Sequence, residues 1–128
     1  MTAIKQVFVI DGDPSARRGL IRLLSRGGHN PRGFASVKEF LHALDPDTSG
    51  CVILDGDTVG STGEELRVAL KARGMHLPII MISAHDDDLT RRKAHGLYAV
   101  GLFRKPVDGP ALLDVVKWTL ELADQTKS

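Results

Sequence analysis

The sequence predicts an α/β fold: a five-stranded parallel sheet, doubly wound in (β/α)5 order with helices on both faces. Three observations predict it. Short apolar runs rich in β-branched residues recur without polar alternation, the pattern of strands buried on both faces. Segments of helical periodicity, opened by capping residues and mostly closed by glycine, fill the intervals. The strand–helix alternation repeats five times, and right-handed crossovers then restrict the topology to a doubly wound sheet.

The first strand is Gln6-Val7-Phe8-Val9-Ile10, ending at Asp11. Asp13-Pro14 follows as a cap and a first-turn proline. Ala16, Leu20, Ile21, Leu23 and Leu24 line one face of the helix until Gly27-Gly28 stops it, while Arg17, Arg18, Arg22 and Arg26 read as its solvated side. A weaker run over 31–35 reads as an edge strand because of Pro31 and Gly33. Ser36 with Glu39 makes a capping box ahead of Phe40, Leu41 and Leu44. Cys51-Val52-Ile53-Leu54 is the third strand and ends at Asp55. Thr62 with Glu65 opens the next helix, whose apolar residues are Leu66, Val68 and Leu70 and whose stop is Gly74. Pro78-Ile79-Ile80-Met81-Ile82 is the fourth strand, ending at Ser83. A short polar helix over 87–95 closes at Gly96, and Asp86-Asp87-Asp88 reads as support for its N-terminus through the helix dipole. The fifth strand reads Tyr98-Ala99-Val100-Gly101-Leu102-Phe103 and ends near Arg104-Lys105. Asp108 opens the last helix, with Leu112, Leu113, Val116, Leu120 and Ala123 on one face; residues 124–128 are expected to fray.

Composition narrows the function classes. The 128 residues read as a single domain over 1–128. With 17 basic and 16 acidic side chains the net charge is +1, which argues against a dedicated nucleic-acid binder. No apolar run approaches the roughly 18 residues needed to span a bilayer. The first residues also lack the order of a signal peptide, so a cytoplasmic protein without membrane contact is expected. Cys51 alone can form neither an internal disulfide nor a CxxC zinc site, and in an apolar strand it reads as a buried, inert thiol. The five histidines show no paired metal-ligand spacing.

The chemistry gathers at the strand ends. Strand one delivers Asp11-Gly12-Asp13, strand three Asp55-Gly56-Asp57, strand four Ser83-Ala84 and strand five Lys105-Pro106. A doubly wound sheet brings these to its carboxyl edge, where ligands of such folds sit. Clustered carboxylates suit a hard cation such as Mg2+. A carboxylate beside a cation and a lysine can act as a nucleophile toward phosphorus, with the lysine neutralising the transferred group. Asp13 reads first as a helix cap and second as a metal ligand. Gly60-Ser61-Thr62-Gly63 lacks the GxxxxGK[ST] pattern and reads as a turn plus cap.

Four anchors in order, at 11, 55, 83 and 105, on a five-fold β/α pattern resemble the receiver domains of two-component response regulators, with their flavodoxin-like fold. The resemblance covers essentially the whole chain, from 7 to about 123. It implies that Asp55 is the phosphoacceptor, taking a phosphoryl group from a histidine kinase, a phosphotransfer protein or a small phosphodonor. It implies that Asp11, Asp55 and the backbone carbonyl of Asp57 hold Mg2+. Ser83 would hydrogen-bond a phosphoryl oxygen, Lys105 would pair with the phosphate, and a cis bond would precede Pro106. A domain of this kind acts by switching a surface for a downstream protein target. It is an enzyme only toward its own phosphorylation and dephosphorylation. No output domain is expected within these residues, and no direct nucleic-acid contact. Strand five with the last two helices is the face expected to carry target contacts or a homodimer; Tyr98 and Trp118 read equally as part of that face or as packing residues.

The sequence departs from the family at three positions. Gly12 stands where the family has a second acid, the one that normally binds the metal directly, so Asp13 or the Asp57 side chain is the candidate substitute. Weak Mg2+ affinity is expected, and Gly12→Asp is expected to raise it. Val59 stands where a proline is usual. Leu102 stands at the aromatic switch position, with Phe103 as its neighbour. His85, two residues past Ser83, lies where the family tunes phosphate hydrolysis; a plain surface histidine is the competing reading. These departures keep an atypical receiver, binding partners without phosphorylation, as the alternative function. A flavin- or nucleotide-binding enzyme on the same fold is the third reading, weakened by the missing phosphate loop.

Overall fold

Five strands form one parallel sheet in the order β2-β1-β3-β4-β5 in a computed structural model that describes residues 5–58, 60 and 62–125. The strands are β1 (Gln6–Ile10), β2 (Pro31–Phe34), β3 (Gly50–Asp55), β4 (Ile79–Ser83) and β5 (Gly101–Arg104). The helices are α1 (Pro14–Arg26), α2 (Val37–His42), α3 (Gly63–Ala72), α4 (Asp88–Gly96) and α5 (Gly109–Gln125). Residues 1–4, the Val59 and Ser61 positions of the turn, and residues 126–128 lie outside the described residues, as do the side chains at 123–125.

Strand alternation divides the core into two layers. Phe8, Ile10, Val52, Leu54, Ile79 and Met81 face one way and meet Val37 and Phe40 of α2, Leu66 and Leu70 of α3, and Ala94 of α4. Val7, Val9, Cys51, Ile53, Ile80 and Ile82 face the other way and meet Leu20 and Leu24 of α1 and Leu112, Val116 and Leu120 of α5. Both faces of the central strands are therefore apolar, which is why these runs show no polar alternation. The register pairs Val9 with Ile53 and Leu54 with Met81, so the strands end nearly level.

The caps form as the sequence predicts. Asp13, Ser36, Thr62 and Asp87 accept the backbone N–H of Ser15, Glu39, Glu65 and Thr90. Asp108 does the same for Ala111 at 3.1 Å. Glu39 Oε2 accepts the Ala35 N–H at 2.9 Å, one residue before the cap. Gly74, past the end of α3, takes a positive φ of 66° that glycine allows at no steric cost.

Three local expectations are corrected. β5 begins at Gly101, and Tyr98, Ala99 and Val100 precede it. The N–H groups of Tyr98 and Ala99 go to the His95 and Ala94 carbonyls at the end of α4, so they are not free for a ladder. Gly96 is the last residue of α4, and the left-handed residue past its end is Tyr98, at φ 54°. Val68 points to solvent from α3, because the core-facing positions of that helix are Leu66 and Leu70. The Lys105–Pro106 bond is cis, as expected.

Candidate functional site

The switch point of the sheet lies between β1 and β3, where the chain order reverses. Asp11 follows β1, Asp55 closes β3, Ser83 closes β4 and Lys105 follows β5. Parallel direction and level registers put all four on one edge. The structure thus brings together the groups that the sequence places at strand ends.

Asp11 and Asp55 are both buried, and the Lys105 ammonium bridges them, 3.5 Å from Asp11 Oδ2 and 3.5 Å from Asp55 Oδ2. Two carboxylates share one cation. Burial and the neighbouring Asp55 charge push the Asp11 carboxyl above its ordinary range, outweighing the Asp13 N–H bond and Lys105. Burial pulls the Lys105 ammonium down, yet Asp55 and Asp11 outweigh it and hold the group above its usual value.

The backbone fixes both carboxylates. Asp11 Oδ1 accepts the Asp13 N–H at 2.9 Å, and Asp55 Oδ1 accepts the Asp57 N–H at 3.0 Å. Arg17 turns inward from α1 and donates from its guanidinium to the Asp11 carbonyl at 2.7 Å. The solvated reading of Arg17 is thereby corrected: its first-turn position puts it beside the β1–α1 loop.

The second carboxylate of each pair has other partners. Asp13 is exposed and caps α1 through Ser15 at 2.9 Å. The Asp57 side chain accepts the Ser83 hydroxyl at 2.8 Å and the Ala84 N–H at 2.7 Å. Burial raises the Asp57 carboxyl. Those two hydrogen bonds, with the charges of His85 and Lys105, outweigh it and hold the group below its ordinary value. Ser83 also accepts the His85 N–H at 3.0 Å, while the His85 side chain is exposed.

Among the described residues Asp11 Oδ2 is buried with no hydrogen-bond partner and lies 3.5 Å from the Lys105 ammonium. A buried, orphaned carboxylate oxygen facing a second carboxylate is a donor set for a hard cation. Mg2+ is held by one or two carboxylates with the remaining positions filled by water or substrate oxygens, so Asp11 and Asp55 fit it. Among the described residues no group of three or more His, Cys, Asp or Glu could enclose a metal. That agrees with Gly12 standing where a further acid would be.

Sequence reasoning did not single out Thr58. Its hydroxyl donates to Asp55 Oδ2 at 3.0 Å and accepts the Gly12 N–H at 3.1 Å. A hydroxyl three residues past a strand-end acid was the available signal, since Thr side chains in turns bond back to nearby groups. Leu102 and Phe103 take opposite sides of the sheet, Leu102 against the α2–α4 layer and Phe103 against the α1–α5 layer. Tyr98 and Trp118 are both exposed, at 76% and 53%. Cys51 is buried, and burial pushes its thiol up to about 12, which leaves it inert. Asp86 and Asp88 pair with Arg91 of α4 in support of that helix start.

Comparison with known proteins agrees with this architecture. The family model of the response regulator receiver domain matches residues 7–117, from β1 into α5. The transcriptional regulatory protein TdiR of Thauera aromatica is 39% identical over 116 residues, which are 91% of this chain and 51% of that protein. The solved response regulator StyR superposes with a TM-score of 0.87 at 34% identity, over 98% of this chain and 63% of that one. A response regulator receiver protein from Burkholderia phymatum superposes with a TM-score of 0.80 at 35% identity, over 91% of this chain and 95% of that one. The chain thus spans about half the length of the curated relatives it matches. On the family match, the relatives and the shared five-stranded fold, the chain belongs to the receiver domains of two-component response regulators.

Proposed function

We propose that this domain is a phosphoacceptor switch in which Asp55 takes the phosphoryl group. The observation that carries the reading is the Asp55 carboxylate, buried beside Asp11 and 3.5 Å from the Lys105 ammonium. One carboxylate oxygen of Asp55 would attack phosphorus and form an acyl phosphate, while the donor's P–N or P–O bond breaks and the electron pair leaves with the donor. The partner is a histidine kinase or phosphotransfer protein; a small phosphodonor would serve in its place. Mg2+, when bound, supplies charge neutralisation for the phosphoryl oxygens. Asp11, Asp55 and the Asp57 carbonyl would hold it, with Asp13 left as the cap of α1. Lys105 would stay with the phosphoryl group and offset its added charge. Ser83 would release Asp57 and donate to a phosphoryl oxygen, which links the modification to the β4–α4 segment.

The output in this reading is a protein contact, and the exposed Tyr98 and Trp118 make the surface of β5 with α4 and α5 the proposed face, for a target or a second copy. The name of TdiR states transcriptional regulation, but this chain covers 51% of TdiR, so that role belongs to TdiR as a whole. For the residues described here we propose a receiver unit that works through protein partners and not by direct contact with nucleic acid. No helix among the described residues is long and apolar enough to cross a membrane; a cytoplasmic place follows from the proposed kinase partner.

Intact-mass measurement after incubation with acetyl phosphate and Mg2+ tests the reading. A phosphoryl adduct on the wild-type chain, absent from Asp55→Asn, is expected. No adduct at saturating Mg2+ would sink it and favour the second reading, a receiver that binds partners without phosphorylation. The specific observation on that side is the thin donor set, two central carboxylates with glycine at 12, together with Leu102 packed into the core layer.

A further inference from the structure

Thr58 and Gly12 are 46 residues apart in sequence and in contact in the fold. The Thr58 hydroxyl bridges the Gly12 N–H and Asp55 Oδ2, the same oxygen that faces Lys105. The Thr58 methyl takes up the space beside Gly12. A Cβ built at 12 would lie 2.9 Å from Thr58 Cγ2 and 3.6 Å from its Oγ1. That spacing is closer than carbon atoms tolerate, so one of the two must shift. The shift is not free. Thr58 is β-branched with a stiff χ1, and rotating it breaks both hydrogen bonds of the hydroxyl. Its own N–H is tied to the Asp55 carbonyl at 3.3 Å.

We propose that Thr58 is a positioning residue for Asp55, and that cation affinity at this site is set by the Gly12–Thr58 pair and not by Gly12 alone. The inference rests on the reading of Asp11 and Asp55 as the cation and phosphoacceptor site. The hydroxyl holds the Asp55 carboxylate against the β1–α1 loop through the Gly12 N–H. The methyl closes the same space to a second carboxylate. Gly12→Asp on its own therefore introduces a Cβ that collides with the Thr58 methyl, and relieving the collision displaces the group orienting Asp55. Thr58→Ser deletes only the obstructing methyl and keeps the hydroxyl, so Gly12→Asp with Thr58→Ser opens the space without loosening Asp55.

The test is a titration of the 15N-labelled chain with Mg2+ alone, following the amides at positions 12, 13 and 57. Thermal unfolding confirms that each variant is folded. Gly12→Asp is expected to change the Mg2+ dissociation constant by less than about threefold, and the double variant to tighten it by about tenfold or more. Equal tightening by Gly12→Asp alone, or none in the double variant, would overturn the proposal. A second arm isolates the hydroxyl by the rate of acetyl phosphate labelling. Thr58→Val, which keeps the shape, is expected to slow labelling by about tenfold, and Thr58→Ser to restore it to within about twofold. A Thr58→Val chain that labels at the wild-type rate overturns the positioning role. Absence of any wild-type adduct counts against the proposed function, and the Mg2+ arm still decides the inference.

Discussion

Asp11 is the residue on which the charge balance of the site turns. It is fully buried, its Oδ2 lacks a hydrogen-bond donor, and it shares one ammonium with Asp55. Removing a buried charge from water is costly unless it is fully paired, and half of Lys105 is not full pairing. The native state holds the Asp11 carboxyl above its ordinary value, so it binds that proton more tightly than the unfolded chain does. Stability from this group therefore falls as pH rises past the ordinary carboxylate range. Asp11→Asn is expected to stabilise the chain at neutral pH. The gain should shrink to nothing below about pH 4, where the unfolded carboxyl is itself protonated. Thermal unfolding of both proteins across that pH range checks it; a destabilised variant at neutral pH would contradict the account. Strand-end position made Asp11, Asp55, Ser83 and Lys105 legible in the sequence. Thr58 was not, because a threonine in a turn has no periodicity to mark it, and its partner Gly12 is remote in sequence.

At the scale of the element, helix starts carry the information. Thr62 accepts the Glu65 N–H at 3.1 Å and sets where α3 begins, one turn beyond the loop that holds Asp57 and Thr58. Thr62→Ala should cost about 1 kcal/mol of unfolding free energy, and Thr62→Ser should recover most of it. Urea titration measures both, and equal stability of the alanine and serine variants would remove the cap from the explanation. Helix starts were legible because the cap is a local motif, two residues three apart with an apolar run behind them. The start of β5 was not. Tyr98-Ala99-Val100 has strand-forming composition, but the end of α4 claims two of its N–H groups first. Local propensity cannot show that competition, since both outcomes suit the same residues.

At the largest scale the described residues form one sheet with a packed layer on each face, and the site sits where both layers meet the carboxyl edge. Phe40 anchors one layer, fully buried, with its ring 5.2 Å from Phe8 and 5.5 Å from Phe34. Trp118 sits on α5, beyond the other layer. Phe40→Ala should cost about 3–5 kcal/mol, a large part of the roughly 5–15 kcal/mol that holds a domain folded. The loss should register at Trp118, across the sheet, because the strands are common to both layers. Urea unfolding followed by Trp118 fluorescence and by far-ultraviolet circular dichroism should shift together; separated transitions would mean that the layers unfold independently. The sequence by itself determined the five-fold alternation, the caps and the acids, hydroxyl and lysine at the strand ends, because burial periodicity and capping are read within a few residues. Only the tertiary structure decided which of those groups touch. Strand order and register bring Lys105 between Asp11 and Asp55, turn Asp57 toward Ser83, and seat Thr58 against Gly12. Those contacts depend on where remote strand ends come level, and no local pattern encodes that.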